Sequence, residues 1–303
     1  MIKADNLKKR YGKTVALDGV SFEVKRGETF GLLGPNGAGK TTTIRLLCGL
    51  LKPDSGVVTL DGKTNPTLVD VRLSLGMVPQ TLAIYEELSA EQNLYFFGRI
   101  YGLSGRRLKE SVSNCLEIAG LTQRSRERVS KYSGGMKRRL NMVCSLLHEP
   151  PLLLLDEPTV GVDPQSRNSI FDTIEAMKKQ GRTILYTTHY MEEAERICDR
   201  VAILDYGKIL DMDSINNLID KHGGFSHMEA EFENSPSDLD KIRQLIGSSN
   251  IQFEETKVKF ETPRPMESLA MLNRNGIHLK SLKIQSANLE DVFLNLTGRR
   301  LRD

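Results

Sequence analysis

The sequence lacks the features that mark membrane-spanning, secreted and dedicated nucleic-acid-binding proteins. No apolar run approaches the ~20 residues that a membrane-spanning helix needs, so we expect no membrane span in this chain. The segment Met1–Asp5 has no apolar core of the kind found in secretory signals, and we expect no such signal. Lys and Arg (42) exceed Asp and Glu (39) by only three, whereas a dedicated nucleic-acid binder carries a strong basic excess. No nucleic-acid partner is therefore expected.

Cysteine is scarce, and its spacing matches none of the common metal-binding patterns. The four cysteines lie far apart, without a CxxC pair, at Cys48, Cys115, Cys144 and Cys198. This pattern fits reduced, buried thiols in a cytosolic protein and argues against a zinc site. Apolar residues make up 39% of the chain, which is enough for a packed core. A length of 303 residues corresponds to about two domains.

The first part of the chain alternates short apolar runs with amphipathic stretches. Four continuous apolar runs are Thr29–Leu33, Leu152–Leu155, Arg182–Tyr186 and Val201–Leu204. Continuous apolarity is typical of strands that are covered on both faces. Apolar residues at helical spacing intervene, as between Met136 and Leu147. Alternating strands and helices predict an α/β domain with a mostly parallel sheet, which we place at residues 1–220.

A glycine-containing linker, Lys221–Phe225, precedes a second part with a different pattern. The predicted order there is strand, helix, strand, strand, helix, strand and helix, over His227–Phe232, Leu239–Ile246, Ile251–Glu254, Lys257–Glu261, Met266–Leu272, Leu279–Ile284 and Leu289–Leu296. This order predicts a small α+β sandwich, which we place at residues 225–303. The sequence shows no phosphate loop, metal-ligand spacing or cluster of catalytic residue types in this part, so we assign it no chemistry.

A glycine-rich loop follows the first buried strand. Its residues are Gly34, Pro35, Asn36, Gly37, Ala38, Gly39, Lys40 and Thr41. They match GxxxxGK[ST] between a predicted strand and a predicted helix over Thr42–Cys48, which is the context that the motif requires. The glycines let backbone N–H groups close around phosphate oxygens, and the helix N-terminus adds its dipole. Lys40 supplies a positive charge to the β- and γ-phosphates, and the Thr41 hydroxyl can bind Mg²⁺. The alternative is a glycine-rich turn with a chance lysine.

A second candidate site lies where the strand Leu152–Leu155 runs into Asp156 and Glu157. An acid at the end of a buried strand can hold hydrated Mg²⁺, and the next acid can orient a water for attack on the γ-phosphate. A base positioned in this way contributes about 10²–10⁴ in rate. The alternative is a pair of acids that merely cap a strand, but the phosphate loop supplies the ligand that they need.

The segment Tyr132–Arg139 separates this chain from kinases and GTPases, which share the two preceding motifs. Ser133 is a good N-cap, and Gly134 and Gly135 begin a helix with an apolar face. A Ser-Gly-Gly at a helix start forms a second anion site, distant in sequence from the first. One nucleotide does not need two such sites from one chain. We therefore predict two chains placed head to tail, each contributing one of the two sites.

With these motifs in order, the chain resembles the ATP-binding subunit of an ABC transporter. Ser133–Gly135 resembles the signature of that family, and Gly34–Thr42 and Leu152–Glu157 resemble its two Walker motifs. Tyr132 and Met136 stand where the familiar signature has leucine and glutamine, whereas the serine and both glycines remain. The resemblance implies a phosphate-loop ABC ATPase domain with a mostly parallel sheet, an antiparallel β subdomain and a helical signature subdomain.

The same resemblance implies roles for further residues. Tyr11 fits the aromatic residue that stacks on adenine, Gln80 fits the Q-loop, and His189 fits the switch histidine. Asp163 belongs to a segment that resembles the D-loop. The implied catalytic residues are Glu157, His189 and Gln80. The implied ATP contacts are Tyr11, the loop from Gly34 to Thr42, Ser133, Gly134, Gly135 and Asp163, and the implied Mg²⁺ ligands are Thr41, Gln80 and Asp156.

The resemblance also implies a Mg²⁺-dependent ATPase that powers transport. ATP and Mg²⁺ are expected at two composite sites of a head-to-tail homodimer, whose closing and opening drive a separate transmembrane permease. The signature stretch and the tail Leu289–Phe293 resemble export systems for drugs, antibiotics or polysaccharides. The subunit is then expected to be cytoplasmic and peripheral on the inner face of the membrane. Its C-terminal domain is expected to be regulatory or dimer-stabilising, and the alternative is a purely structural cover for the ATPase domain.

Two other functions remain open at the level of sequence. One is a soluble ABC ATPase acting on ribosomes or DNA, although this sequence has neither a second ATPase half nor the inserted coiled coils or zinc sites that such proteins usually carry. The other is a phosphate-loop kinase or a non-hydrolysing nucleotide-binding module. Dependence of activity on Ser133 would distinguish the proposed ATPase from a kinase.

Two surface features have more than one interpretation. The first is a basic run, Arg124, Arg126, Arg128, Lys131, Lys137, Arg138 and Arg139. It is most simply a solvated face, and its alternative is contact with anionic lipid headgroups or acidic permease loops. The second is an apolar group, Leu94, Phe96, Phe97 and Tyr101, which forms either core or an interface.

Overall fold

The computed structural model describes residues 1–232, 239–246, 251–254, 256–262, 264–277 and 279–299. The chain divides into two compact units between Ile215 and Asn216. This division falls at the start of the helix Ile215–His222, a few residues before the predicted linker. Each unit is described by itself.

Strands of the first unit form two sheets. In chain order they are β1 (Ile2–Tyr11), β2 (Thr14–Val24), β3 (Thr29–Leu33), β4 (Ser55–Leu60), β5 (Leu75–Val78), β6 (Leu152–Asp156), β7 (Thr183–Thr188), β8 (Arg200–Asp205) and β9 (Lys208–Ser214). One sheet has the order β5-β6-β7-β3-β8-β9, parallel from β5 to β8 and antiparallel at β9. The other is antiparallel, in the order β2-β1-β4. The predicted mostly parallel sheet and antiparallel β subdomain are both confirmed.

Helices connect these strands and form a subdomain of their own. In chain order they are α1 (Lys40–Leu47), α2 (Val69–Arg72), α3 (Ala90–Ile100), α4 (Gly105–Ile118), α5 (Gly134–Cys144), α6 (Pro164–Lys179) and α7 (Met191–Ile197). Helices α3, α4 and α5 pack against one another, which is the predicted helical subdomain. Short 3-10 turns at Thr122–Arg124 and Val129–Lys131 lead into α5.

One apolar core fixes the position of α1 within the first unit. Every residue of β3 and of β6 is buried, as the continuous apolar runs predicted. Leu7 of β1 and Leu154 of β6 belong to the same fully buried core as Ile44 of α1. Phe22 and Phe30 stack within it, with ring centroids 5.5 Å apart. Because α1 is held by both sheets, the loop that precedes it is held as well.

The strand order brings three loops to one edge of the parallel sheet. β6, β7 and β3 are direct neighbours, and the carboxyl ends of parallel strands lie at the same edge. Gly34 follows β3, Glu157 follows β6, and His189 follows β7. Residues far apart in sequence therefore meet at this edge.

The second unit is a small α+β sandwich. Its elements are α8 (Ile215–His222), β10 (Ser226–Phe232), α9 (Leu239–Ile246), β11 (Ile251–Glu254), β12 (Lys257–Thr262), α10 (Pro265–Arg274), β13 (Leu279–Gln285) and α11 (Leu289–Thr297). The antiparallel sheet has the order β11-β12-β10-β13. Alternate residues of β10, among them Met228 and Phe232, enter a core with Ile242 of α9 and Leu272 of α10. The predicted order of elements and the predicted sandwich are confirmed.

Two expectations from the sequence concern membrane-spanning helices and cysteines. Within the described ranges, no helix combines the length and the apolar character that a membrane crossing requires. All four cysteines are buried and free, as their sequence spacing suggested. Burial raises the pKa of the Cys115 thiol to about 12, and it also raises the pKa of Cys48, Cys144 and Cys198.

Candidate functional site

The glycine-rich loop is shaped by backbone conformations that favour glycine. Gly37 and Gly39 have φ angles of 84° and 114°, in the left-handed region. A Cβ at Gly39 would lie 2.7 Å from the carbonyl oxygen of Ala16 and 2.6 Å from a methyl carbon of Leu17. The loop is therefore pressed against β2, and α1 begins directly after Gly39 without a side-chain cap. The first N–H groups of α1 are available to an anion, as the motif predicts.

Lys40 is a buried cation that joins the loop to the acid after β6. Its ammonium nitrogen donates to the carbonyl oxygens of Gly34 at 2.7 Å and Pro35 at 3.0 Å. The same nitrogen lies 2.9 Å from Oε1 of Glu157, and both side chains are almost fully buried. The structure thus places the predicted phosphate-binding cation and the predicted base in direct contact.

Asp156 is held by two hydroxyl groups at the end of β6. Thr187 Oγ1 donates to Asp156 Oδ1 at 2.8 Å, and Thr41 Oγ1 donates to the same oxygen at 3.2 Å. Burial raises the pKa of Asp156, while the hydrogen bonds from Thr187 and Thr41 act in the opposite direction. A buried carboxylate beside a hydroxyl is a set of hard oxygen donors, which is what Mg²⁺ prefers.

Glu157 occupies a strained backbone position that aims its side chain into the site. Its φ angle is 46°, and its N–H donates to Thr187 Oγ1 at 3.0 Å and to the Thr187 carbonyl oxygen at 3.2 Å. Gln80 Nε2 donates to Glu157 Oε2 at 3.0 Å. His189 Nδ1 lies 3.5 Å from that same oxygen. Two of the residues that the resemblance assigned to catalysis, Gln80 and His189, therefore converge on the carboxylate of the third, Glu157.

An open cavity of about 220 Å³ lies between the glycine-rich loop, Gln80 and Glu157. Its lining residues are Ala16, Asn36, Gly37, Gly39, Lys40, Thr41, Thr42, Gln80 and Glu157. The phosphate loop and two of the three predicted catalytic residues are thus brought together. Tyr11 is 46% exposed at the end of β1, and it does not belong to this lining.

The signature residues and Asp163 form a separate group, and they do not line the cavity. Ser133 caps α5, and its hydroxyl oxygen accepts the N–H of Met136 at 3.3 Å. Asp163 caps α6, and its Oδ1 accepts the N–H of Ser166 at 2.9 Å. Hydrogen bonds from Ser166 lower the pKa of Asp163.

Gly134 and Gly135 differ in their surroundings. A Cβ at Gly135 would lie 2.3 Å from the Cβ of Ser166, so this glycine allows α5 and α6 to approach each other. A Cβ at Gly134 would have no heavy atom within 4 Å, and Gly134 is exposed. The packing role of Gly135 is not visible in the sequence.

Sequence reasoning missed two residues that build the site. Arg138 Nη1 donates to the Gln80 carbonyl oxygen at 2.5 Å, and Nη2 donates to the Val160 carbonyl oxygen at 3.1 Å. The interpretation of the basic run as a solvated face is wrong for Arg138, which is buried because it links these two loops. Thr187, which holds both acids, was also missed. Its one signal in the sequence is its place at the end of an apolar strand, two residues before His189.

Comparisons with known proteins identify the family of this chain. A family model described as ABC transporter matches residues 17–160. The linearmycin resistance ATP-binding protein of Bacillus subtilis is 42% identical, with 100% of both chains covered. The Nod factor export ATP-binding protein I of Ralstonia nicotianae is 38% identical, covering 100% of this chain and 95% of that protein.

Two solved structures share the fold of the first unit. One, described as the ATP-binding subunit of an ABC transporter, is 32% identical with a TM-score of 0.65, and covers 74% of this chain and 93% of that chain. The other, a dimeric ATP-binding cassette in a post-hydrolysis state bound to ADP and Pi, is 26% identical with a TM-score of 0.64. That alignment covers 71% of this chain and 98% of the cassette.

Proposed function

The chain belongs to the family of ABC transporter ATP-binding proteins, and from that premise we propose that it powers export through a separate membrane permease. It binds ATP and hydrolyses it. The convergence of Lys40, Gln80 and His189 on Glu157 at the phosphate loop supports ATP hydrolysis, and the likeness over the whole chain to export and resistance proteins carries the proposal of export. Relatives named for resistance and for Nod factor export favour export over action on ribosomes or DNA.

Roles follow for several residues in the cavity and beside it. Lys40 and the N–H groups of the glycine-rich loop bind the phosphates of ATP. Glu157 Oε2 orients the attacking water and accepts its proton, while the amide of Gln80 donates to that oxygen and the ring of His189 lies beside it. Tyr11 stacks on adenine. It ends β1, next in the chain to β2, whose Ala16 lines the cavity.

Thr41, Asp156 and Gln80 are the residues that would hold Mg²⁺. They offer a hydroxyl, a carboxylate and an amide oxygen, and Thr41 already donates to Asp156. When bound, Mg²⁺ neutralises charge on the β- and γ-phosphates. Mg²⁺ sites that act on nucleotides use one or two carboxylates together with phosphate oxygens, which agrees with the single carboxylate here.

A second copy of the chain completes each site in this proposal. Ser133 and Gly134 are exposed and do not line their own chain's cavity, although they begin a helix and can bind an anion. In a head-to-tail homodimer these residues, with Gly135 and Asp163, face the ATP that is bound to the phosphate loop of the other copy. ATP binding then closes the dimer, and hydrolysis opens it.

An exposed apolar group formed by α3 and by Tyr85, which precedes α3, is the surface that we assign to the permease. Tyr85 packs edge-on against Phe96, with ring centroids 5.0 Å apart, and Phe97 lies 5.3 Å from Phe96. Tyr85, Phe96 and Ile100 remain exposed, by 50%, 39% and 64%. This exposed apolar group follows Gln80 in the chain. A partner bound there would contact a segment that is directly connected to the lining of the cavity. Such a partner would hold the subunit at the cytoplasmic face of the membrane.

The second unit has its own apolar core, and we propose that it stabilises the dimer or regulates it. Met228, Phe260 and Leu272 are almost fully buried in that core. A contact between two copies away from ATP would keep them together after hydrolysis, because it raises their effective concentration.

Replacement of Glu157 with glutamine tests the proposed function. The amide keeps the shape of the side chain but cannot accept the proton of the attacking water, so ATP binding is kept and hydrolysis falls by about 10²–10⁴. ATP turnover and the ATP-bound dimer are measured, and the dimer should accumulate. Glu117→Gln, at an exposed position of α4, is the matched control. Hydrolysis within a few-fold of the wild type in Glu157→Gln would contradict the assignment.

A further inference from the structure

A buried carboxylate beside the site takes no part in the chemistry proposed above. Glu193 lies on α7, four residues after His189, and only 2% of it is exposed. Its Oε1 accepts the hydroxyl of Thr159 at 2.7 Å. Its Oε2 accepts the hydroxyls of Tyr186 at 2.9 Å and Thr188 at 2.7 Å. A buried carboxylate is costly unless it is well paired, so three hydroxyl donors indicate a built arrangement.

The hydroxyl groups belong to the segment that follows Glu157 and to the end of β7, which leads into the loop of His189. Thr159 comes two residues after Glu157, at the start of the segment that leads to α6. Thr188 comes directly before His189, and its Oγ1 also accepts the N–H of Tyr190 at 3.0 Å. The two neighbours of His189 in the chain, Thr188 and Tyr190, are therefore both held through the Thr188 hydroxyl.

One cation faces the same carboxylate from α6. Arg167 Nε lies 3.7 Å from Glu193 Oε1, and its guanidinium carbon lies 4.9 Å from the centre of the Tyr190 ring. Burial, and then the negative charge of Glu193, raise the pKa of Tyr186 well above its ordinary value. The Tyr186 hydroxyl thus keeps its proton and remains a donor to Glu193.

We propose that Glu193 is a positioning residue for ATP hydrolysis, joining the segment after Glu157 to the loop of His189 through its two carboxylate oxygens. Thr159 is fixed by one oxygen and Thr188 by the other, so the two loops keep one arrangement relative to Glu157. This inference rests on the proposed function, because it needs His189 and Glu157 to act in hydrolysis.

A carboxylate is suited to this role because it only accepts hydrogen bonds. Both oxygens can receive hydroxyl donors, whereas the amide of glutamine offers one oxygen and an NH₂ group that donates. In Glu193→Gln, the oxygen of the amide can keep Tyr186 and Thr188, but the NH₂ group then faces the Thr159 hydroxyl, which must turn its proton away and accept instead. In the opposite amide orientation the NH₂ group faces the hydroxyls of Tyr186 and Thr188. Either way the hydroxyls lose a charged acceptor, whose hydrogen bonds are roughly twice as strong as those of a neutral one, so the link is weakened without a change in side-chain volume.

The experiment compares Glu193→Gln with Glu192→Gln, its exposed neighbour on α7. ATP turnover gives kcat and KM, calorimetry gives ATP affinity, and thermal unfolding reports on the fold. We expect kcat of Glu193→Gln to fall by up to about 10²-fold with unchanged ATP affinity, because displaced catalytic groups cost rate and not binding. Glu192→Gln should match the wild type. Wild-type kcat in Glu193→Gln, or a loss of ATP affinity that equals the loss of kcat, would overturn the inference.

Variants of Thr188 test the same link without touching the carboxylate. Thr188→Val removes the hydroxyl and should lower kcat as Glu193→Gln does, whereas Thr188→Ser keeps the hydroxyl and should restore it. The double variant Glu193→Gln with Thr188→Val should be no slower than the slower single variant, because both changes break the same link between Thr159 and Thr188. Equal kcat values for Thr188→Val and Thr188→Ser would overturn the inference even if Glu193→Gln failed to fold. Loss of hydrolysis in Glu157→Gln, together with wild-type kcat in Glu193→Gln, overturns this inference and leaves the proposed function standing.

Discussion

Replacement of Gly135 with alanine should force α5 away from α6. The added Cβ would stand 2.3 Å from the Cβ of Ser166 and 2.4 Å from its Oγ, distances that real side chains do not adopt. Ser166 cannot move freely, because its N–H donates to the side chain of Asp163 at the start of α6. The alanine therefore displaces backbone as well as side chain, and the cap of α6 moves with it.

The expected loss of stability follows from overpacking of this contact. Inserting a methyl group into a well-packed site costs about 1–3 kcal/mol. For a unit of this size the melting temperature should fall by roughly 2–12 °C. Differential scanning calorimetry of the full chain measures this shift.

Two further variants show whether the contact with Ser166 is the cause. Ser166→Gly removes both of the nearest atoms, so adding it to Gly135→Ala should recover part of the lost stability. Gly134→Ala meets no atom within 4 Å and should keep the wild-type melting temperature or exceed it by a small margin. The packing argument is refuted if Gly135→Ala has the melting temperature of the wild type. It is also refuted if adding Ser166→Gly to Gly135→Ala lowers the melting temperature further and recovers no stability. A fall of ATPase activity in Gly134→Ala without a loss of stability would support the second anion site.

Further predictions concern the phosphate loop, the second copy and the C-terminal unit. Lys40→Ala should weaken ATP binding in the presence of Mg²⁺, because it removes the cation that faces the phosphates, and unchanged affinity by calorimetry would contradict the phosphate-loop assignment. A mixture of Ser133→Arg chains with Lys40→Ala chains should recover ATPase activity that neither variant has alone, since a head-to-tail dimer then keeps one site free of both changes. A chain ending at Gly224 should bind ATP normally but need a higher protein concentration for half-maximal ATPase activity per chain. The same concentration dependence as in the full chain would rule out a dimer-stabilising role for the second unit.

The phosphate loop was predictable because its geometry depends on neighbours in the sequence. Gly37 and Gly39 adopt left-handed φ angles that glycine accommodates, so the motif itself reports the backbone. The run Leu152–Leu155 is buried in full, as a strand covered on both faces must be. The alternation in His227–Phe232 predicted β10 almost to the residue, because one face of that strand is buried and the other is not.

The residue pattern of β1 does not show a strand, because bulges interrupt it. Ile2, Ala4 and Leu7 are all buried, but the register shifts between Ala4 and Leu7, and Asn6 has a φ angle of 48°. The alternation of buried and exposed residues is thereby broken within a few positions. The antiparallel sheet was accordingly expected from the family resemblance and not from the pattern of residues.

Local sequence patterns did not predict contacts between residues that lie far apart in the sequence. Arg138 is buried because it reaches the carbonyl oxygens of Gln80 and Val160, although its neighbours suggested a solvated face. Thr159 and Glu193 are 34 positions apart, and their hydrogen bond exists because the segment after β6 and the helix after β7 meet at one edge of the sheet. Such contacts depend on the assembled fold.

The burial of all four cysteines has a practical consequence for labelling this protein. Maleimides and disulfide reagents react with the thiolate form of an accessible sulfur. Here every native thiol is covered, and burial shifts each pKa upward, to about 12 for Cys115, so the protonated form prevails at neutral pH. A single cysteine introduced at an exposed position such as Glu117 can therefore carry a fluorophore without removal of the native cysteines. The slow modification of the native thiols would then measure how often the folded chain opens.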